Sequence, residues 1–189
     1  VVSALITRSL RPLKRRLSSF ARDRKGVSAL EFALILPVLL ILYFGTDELG
    51  EGLTVQRKVT HVTSSIGDLV TQSKTISSAD MENFFDAAES IIIPYNVNNL
   101  KMTVTALQID ANGNATVVWS RTRNGTALTA NAPYTGLPDG VKQASTFLIT
   151  AKVTYDYTPT IGYLLTGTFT ITDQFYLRPR QGSTIAAPA

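Results

Sequence analysis

The chain has 189 residues, 18 Lys and Arg against 14 Asp and Glu, a net charge of +4 and a sequence pI near 9.4. With 44% hydrophobic and 17% charged residues, its composition excludes wholesale disorder. It has no cysteine and one histidine, which excludes a disulfide framework, a thiol nucleophile, a cysteine-ligated cluster and a multi-histidine metal site.

The basic balance by itself suggests a nucleic-acid or anionic-membrane partner. Its distribution argues otherwise. Residues 1–26 hold eight of the 18 bases and one of the 14 acids, a net +7, and the remainder carries a net −3. No basic stripe follows residue 26, so no nucleic-acid partner is expected. Within the leader, Leu10, Leu13, Leu17 and Phe20 recur at three- and four-residue spacing among the bases. Two readings stay open for them: a short helix on anionic headgroups, or a solvated basic tail.

An apolar run, Val27–Gly45, comes next, and from Phe32 onward it holds no charged side chain. As a helix it would span roughly 28 Å, about one bilayer core. Arg15, Arg16, Arg22, Arg24 and Lys25 crowd its N-terminal side, and no further base occurs until Arg57. That asymmetry fits the positive-inside pattern, with the N-terminus cytoplasmic and the C-terminal part translocated. A buried core helix is the alternative for so short a run.

The junction reads Gly26-Val27-Ser-Ala-Leu-Glu31-Phe32. A general secretory signal has its small-residue cleavage site after the apolar stretch. Here no Ala-x-Ala site follows Gly45, and a glycine precedes the stretch instead. Gly26 offers no side chain to obstruct a protease and takes extended or turn conformations easily. Glu31 is the informative residue, because a charge at the centre of a spanning helix costs roughly 2.5–3.5 kcal/mol on insertion scales, and less near the interface. Either it snorkels to the headgroups, or it awaits a cation. Cleavage after Gly26 would supply one, the new amino group of Val27, and pairing with Glu31 of a neighbour would set the register of packed helices. Its place near the helix N-terminus also suits the macrodipole.

This junction, followed by Ala33-Leu-Ile-Leu-Pro37 and a later Glu48-Leu49-Gly50, resembles the processing motif of type IV prepilins. More narrowly, it resembles the TadE-like pseudopilins, minor pilins of the tight-adherence (Tad, Flp) pilus system. The resemblance covers residues 24–50, with a fainter echo in Tyr176-Leu-Arg178-Pro179-Arg180. It implies cleavage between Gly26 and Val27 by a membrane prepilin peptidase, with this chain as substrate. It implies assembly through Glu31 and Phe32, with other minor pilins and the major Flp-type pilin as partners. An inner-membrane assembly platform, a cytoplasmic ATPase and an outer-membrane secretin complete the implied machine, whose output is attachment and biofilm formation. The organisation expected is a cleaved leader (1–26), a transmembrane and assembly helix (27–45), an amphipathic continuation (46–72) and a periplasmic domain (73–189). No cofactor is implied.

Downstream, Leu49, Leu53, Gln56, Val59, Val62, Ile66 and Leu69 recur every three or four residues, which predicts an amphipathic helix reaching about Gln72. Continued from Val27, that helix would be roughly 69 Å long. Pro37 is expected to kink it, and Gly45, Gly50 and Gly52 to let it bend. Asp47, Glu48 and Glu51 read as a solvated interfacial face. A second helix is predicted near Ala79–Ile92, capped by Ser77 or Ser78, with an apolar face of Met81, Phe84, Phe85, Ala88 and Ile92 and an end at Pro94.

The rest reads as antiparallel β-structure. Leu100–Ile109 and Ala115–Arg121 flank a hairpin signal, Asp110-Ala-Asn-Gly113-Asn. Residues 147–157 alternate with period two, and Phe169, Ile171, Phe175 and Leu177 suggest a last strand. Asn124–Gly140 is expected to be a long loop, and Trp119 to be core. The fold class is therefore α+β and pilin-like, with about four strands. His61 reads as a surface or structural residue, and no nucleophile–base pair, phosphate loop or calcium loop is present. An assembly subunit rather than an enzyme is the expectation. An uncleaved single-span envelope protein with an outer binding domain is the rival, and an envelope enzyme the more distant one.

Overall fold

The computed structural model describes residues 25–159, 162 and 166–188. The chain forms two compact units, one ending at Thr46 and the other running from Asp47 to Ala189. Helix α1 (Lys25–Thr71) contributes to both, with Pro37 inside it. Its end, one residue short of Gln72, agrees with the apolar periodicity, and it stays helical through Gly45, Gly50 and Gly52.

In the second unit, the buried stripe of α1 is Glu48, Val55, Val59, Val62, Ile66 and Val70. The anticipated stripe holds only at Val59, Val62 and Ile66. Leu49 and Leu53 are 52% and 53% exposed, and Gln56 is exposed as well. Near Gly50 the chain offers apolar residues on two adjacent helix faces, and periodicity alone does not say which one meets the sheet. Glu48 corrects the reading of the acids as a solvated face, because it is 1% exposed. Asp47 is exposed and Glu51 half-buried.

Helix α2 (Ser78–Ile92) opens with a reciprocal cap. The Asp80 backbone N–H donates to Ser77 Oγ (3.1 Å), and the Ser77 N–H donates to Asp80 Oδ2 (3.0 Å). The Ser77 hydroxyl also donates to Asp80 Oδ2 (2.7 Å), and this bond, then that from the Ser77 N–H, holds the Asp80 carboxyl below its ordinary range. Met81, Phe85, Ala88 and Ile92 are buried, one face of a 3.6-residue period.

Among the described residues, five antiparallel strands follow: β1 (Leu100–Ile109), β2 (Ala115–Arg123), β3 (Pro133–Tyr134), β4 (Phe147–Tyr157) and β5 (Phe169–Leu177). Their order in the sheet is β3-β2-β1-β4-β5. The strand beyond the expected four is β3, two residues that pair with Ala115 and Thr116 from within the segment read as a loop. So short a strand leaves no period-two signature. The β1–β2 turn is closed by Asp110, whose Oδ1 accepts from the N–H of Asn112 and of Asn114, both at 2.8 Å, so these residues form a turn.

The inner face of the sheet, with Leu100, Met102, Val104, Ala106, Ile149, Ala151 and Val153, packs on α1 and α2. Gly67 marks a close approach of α1 to the sheet. A Cβ there would run into Leu177 Cδ1 and lie 3.5 Å from Ala151 Cβ. A second, smaller core lies on the outer face and joins Leu107, Ile109, Ala115, Val117 and Leu148 to Leu137 of the connecting segment.

A bulge makes both cores possible. Ala106 pairs with Trp119 and Leu107 with Val117, which leaves Val118 as the extra residue. Without it, Ala115, Val117 and Trp119 would all share one face. With it, Trp119 joins the inner core while Ala115 and Val117 join the outer one.

Candidate functional site

Gly26 and Val27 lie in the first turn of α1. A helix start lacks intrahelical partners for its first N–H groups. Unwinding this turn into the extended form anticipated at Gly26 therefore breaks few hydrogen bonds. Gly26 is exposed, and a Cβ on it would meet no heavy atom within 4 Å. Glu31 is exposed one turn beyond Val27, on the same side of the helix. Phe32 is 59% exposed.

From Leu34 to Tyr43 every large apolar side chain is also exposed, all around the helix. An all-round apolar surface of this length is not a water-facing one. Among the described residues, α1 is the one helix long and apolar enough to cross a membrane, with a mean hydropathy of 2.3 in its most apolar window and none of that window buried. That is the profile of a membrane anchor rather than of a core helix. Lys25 begins α1. Arg15, Arg16, Arg22 and Arg24, and the leader residues Leu10, Leu13, Leu17 and Phe20, lie outside the described residues.

Past the apolar half, α1 is fastened to the second unit by polar contacts that its periodicity does not announce. The Tyr157 hydroxyl donates to Glu51 Oε2 at 3.2 Å. Burial, then the Glu51 charge, pushes the Tyr157 phenol up to about 12. Lys58 Nζ donates to the carbonyls of Ile91 and Ile93, each at 2.7 Å. It thereby places a cation at the C-terminus of α2, whose last turn carries no base of its own. At the end of α1, the Arg180 N–H donates to the Thr71 carbonyl (2.9 Å) and its guanidinium pairs with Asp68 (2.7 Å). Arg180 thus satisfies one of the carbonyls that a helix end leaves open.

Arg123, at the end of β2, holds α2 from the other side. It pairs with Glu82, with Asp86 at 2.5 Å and with Glu89 at 3.2 Å, three acids that recur along one helix face. It also lies 5.3 Å over the Phe85 ring. Partial burial works against the guanidinium charge, and the three carboxylates outweigh it and raise its pKa. The i, i+4, i+7 spacing of those acids was visible in the sequence, but their partner 34 residues beyond Glu89 was not. His61 is exposed on α1.

A family model described as TadE-like protein matches residues 26–66. It begins at Gly26 and ends inside α1, so it covers the junction, the apolar half and all of the buried stripe but Val70. No curated protein matches the chain, and no solved structure does.

Proposed function

We propose that this chain, TadE-like over residues 26–66, is a minor pilin that a prepilin peptidase processes after Gly26 and that takes part in assembling a Tad-type adhesive pilus. One observation carries the reading. An exposed Gly26-Val27 bond stands immediately before a helix half that is apolar on every side and bears a single carboxylate, Glu31. A helix of that kind suits two successive environments, the bilayer before assembly and the apolar core of a helical fibre after it. In the bilayer, Glu31 lies near the headgroups. In the fibre, a carboxylate away from water needs a partner cation, and the Val27 amine freed by cleavage of a neighbouring subunit provides one.

In this reading the peptidase does the chemistry and the chain is its substrate, a structural subunit without catalysis of its own. The basic leader holds the N-terminus in the cytoplasm, and the unit from Asp47 onward lies in the periplasm or on the fibre. The partners are the major Flp-type pilin, other minor pilins and the inner-membrane assembly platform. Surface attachment and biofilm formation are the outputs.

N-terminal sequencing of the protein from the membrane fraction tests the processing step. A chain beginning at Val27 is expected, and an intact leader would overturn the reading in favour of an uncleaved envelope protein. For assembly, Glu31→Ala is expected to retain cleavage and to abolish pili in sheared-surface preparations. Normal pili in that variant would remove Glu31 from the mechanism.

A further inference from the structure

The outer face of the sheet is only partly covered. The small core around Leu137 occupies one end, and the other end is a groove of about 310 Å³. That volume is at the low end of small-ligand sites, about 300–1,000 Å³. Its floor is hydroxyl-rich: Thr103 and Thr105 on β1 face Lys152 and Thr150 on β4, with Gln174 beside Lys152 on β5. Of the lining threonines, Thr105 and Thr150 are buried, while Thr103, Thr126 and Thr154 reach the surface.

The floor is pre-set by its own bonds. Thr105 Oγ1 lies 2.9 Å from Ser120 Oγ, and Thr103 Oγ1 lies 3.0 Å from Thr122 Oγ1. Gln174 Nε2 donates to Thr150 Oγ1 (2.7 Å) and to the Tyr134 hydroxyl (2.8 Å), which leaves the Gln174 carbonyl oxygen as an acceptor.

The wall is built as firmly. Asn124 turns the chain with φ of 57°, and its amide donates to the Leu100 carbonyl at 3.0 Å. Gly125 then seats against the floor, where a Cβ would fall 2.7 Å from Thr122 Oγ1. Leu128 and the Tyr134 ring add apolar surface to the lining.

Among the described residues, no Asp or Glu lines the groove, and two lysines do. Lys101 is committed to Asp156 at 2.6 Å. Lys152 is exposed, and its ammonium makes no hydrogen bond or ion pair among the described residues. The groove therefore offers one uncommitted ammonium, a field of hydroxyl and amide groups and a small apolar wall.

We infer that this groove binds an acidic sugar, a uronic-acid residue whose carboxylate meets Lys152, whose hydroxyls meet Thr103, Thr126, Thr154 and Gln174, and whose C–H face rests on Tyr134 and Leu128. A bare inorganic anion would leave the hydroxyl field and the apolar wall unused, and a neutral sugar would leave the ammonium unpaired. The inference is independent of the assembly role, since no lining residue belongs to α1.

Galacturonic acid titrated into the full chain in detergent micelles, followed calorimetrically at low salt, provides the test. Saturable binding is expected, weakened about tenfold by Lys152→Met, as loss of a charged hydrogen bond requires, and by less than about threefold by Lys101→Met. Galactose, which lacks the carboxylate, is expected to bind about as weakly as galacturonic acid binds the Lys152→Met chain. The exposed position of Lys152 leaves the fold intact in that variant. Absent binding, binding unchanged by Lys152→Met, or inorganic phosphate competing as well as the sugar acid would each overturn the assignment.

Discussion

Tyr157 shows how a single contact ties the chain's N-terminal helix to its sheet. Its hydroxyl donates to Glu51, and its buried ring lies against α1 beside Gly52, whose Cβ position is 3.8 Å from Tyr157 Cε1. Burial and the Glu51 charge raise its pKa from the ordinary 10.0 to about 12. A raised folded-state pKa means that the folded protein holds the proton more tightly than the unfolded chain. The associated stability is complete below pH 10 and is lost as pH rises through about 12. Tyr157→Phe is therefore expected to flatten the fall in thermal stability between these pH values. An unchanged slope in thermal melts across that range would show that the phenol is not the titrating group. Glu48, almost wholly buried three residues before Glu51, carries a related lesson. A carboxylate in an acidic run reads as solvent-facing until the partners of its helix face are known.

Each helix of the second unit is secured by a cation that comes from another element. Lys58 on α1 closes the C-terminus of α2, Arg180 on the segment after β5 closes that of α1, and Arg123 on β2 spans Glu82, Asp86 and Glu89. Of these, Arg123 carries the most. Its guanidinium is mostly covered, its partners are three carboxylates, and its removal leaves those charges in mutual repulsion along one face of α2. Arg123→Met keeps much of the aliphatic packing over Phe85 and removes the charge. It is expected to destabilise the protein by about 2 kcal/mol, as loss of charged hydrogen bonds typically does. A midpoint shift in urea unfolding measures this, and added salt is expected to narrow the difference by screening the repulsion among the exposed acids.

At the scale of the whole molecule, the C-terminal segment closes the inner core. Ile185 is fully buried there, its carbonyl accepts from Trp119 Nε1 at 2.9 Å, and Arg121 donates to the Pro188 carbonyl at 2.6 Å. This stretch, rich in Ser, Thr, Ala and Pro, nevertheless supplies a core residue. Ile185→Ala is expected to cost about 2–5 kcal/mol, the range for a buried isoleucine whose cavity does not collapse. A surface tail would cost less than about 0.5 kcal/mol, so equilibrium unfolding separates the two cases directly.

What the sequence determined alone was whatever short-range periodicity and composition encode. The segregated +7 leader, the apolar run behind Gly26, the capped α2 with four of its five apolar-face residues buried and Phe84 partly so, and the period-two strand at Phe147–Tyr157 were all legible. Each is written in neighbours within one or two turns or along one strand. The candidate junction was legible for the same reason, since Gly26, Glu31 and Phe32 lie within seven residues. What only the tertiary structure decided were choices between local patterns of similar merit. These are which of two apolar faces of α1 near Leu49 meets the sheet, which face of β2 Trp119 takes after the bulge at Val118, and where β3 pairs. Distant packing partners settle such choices through the burial they offer, and the groove around Lys152 exists only because β1, β4, β5 and the Gly125 segment converge there.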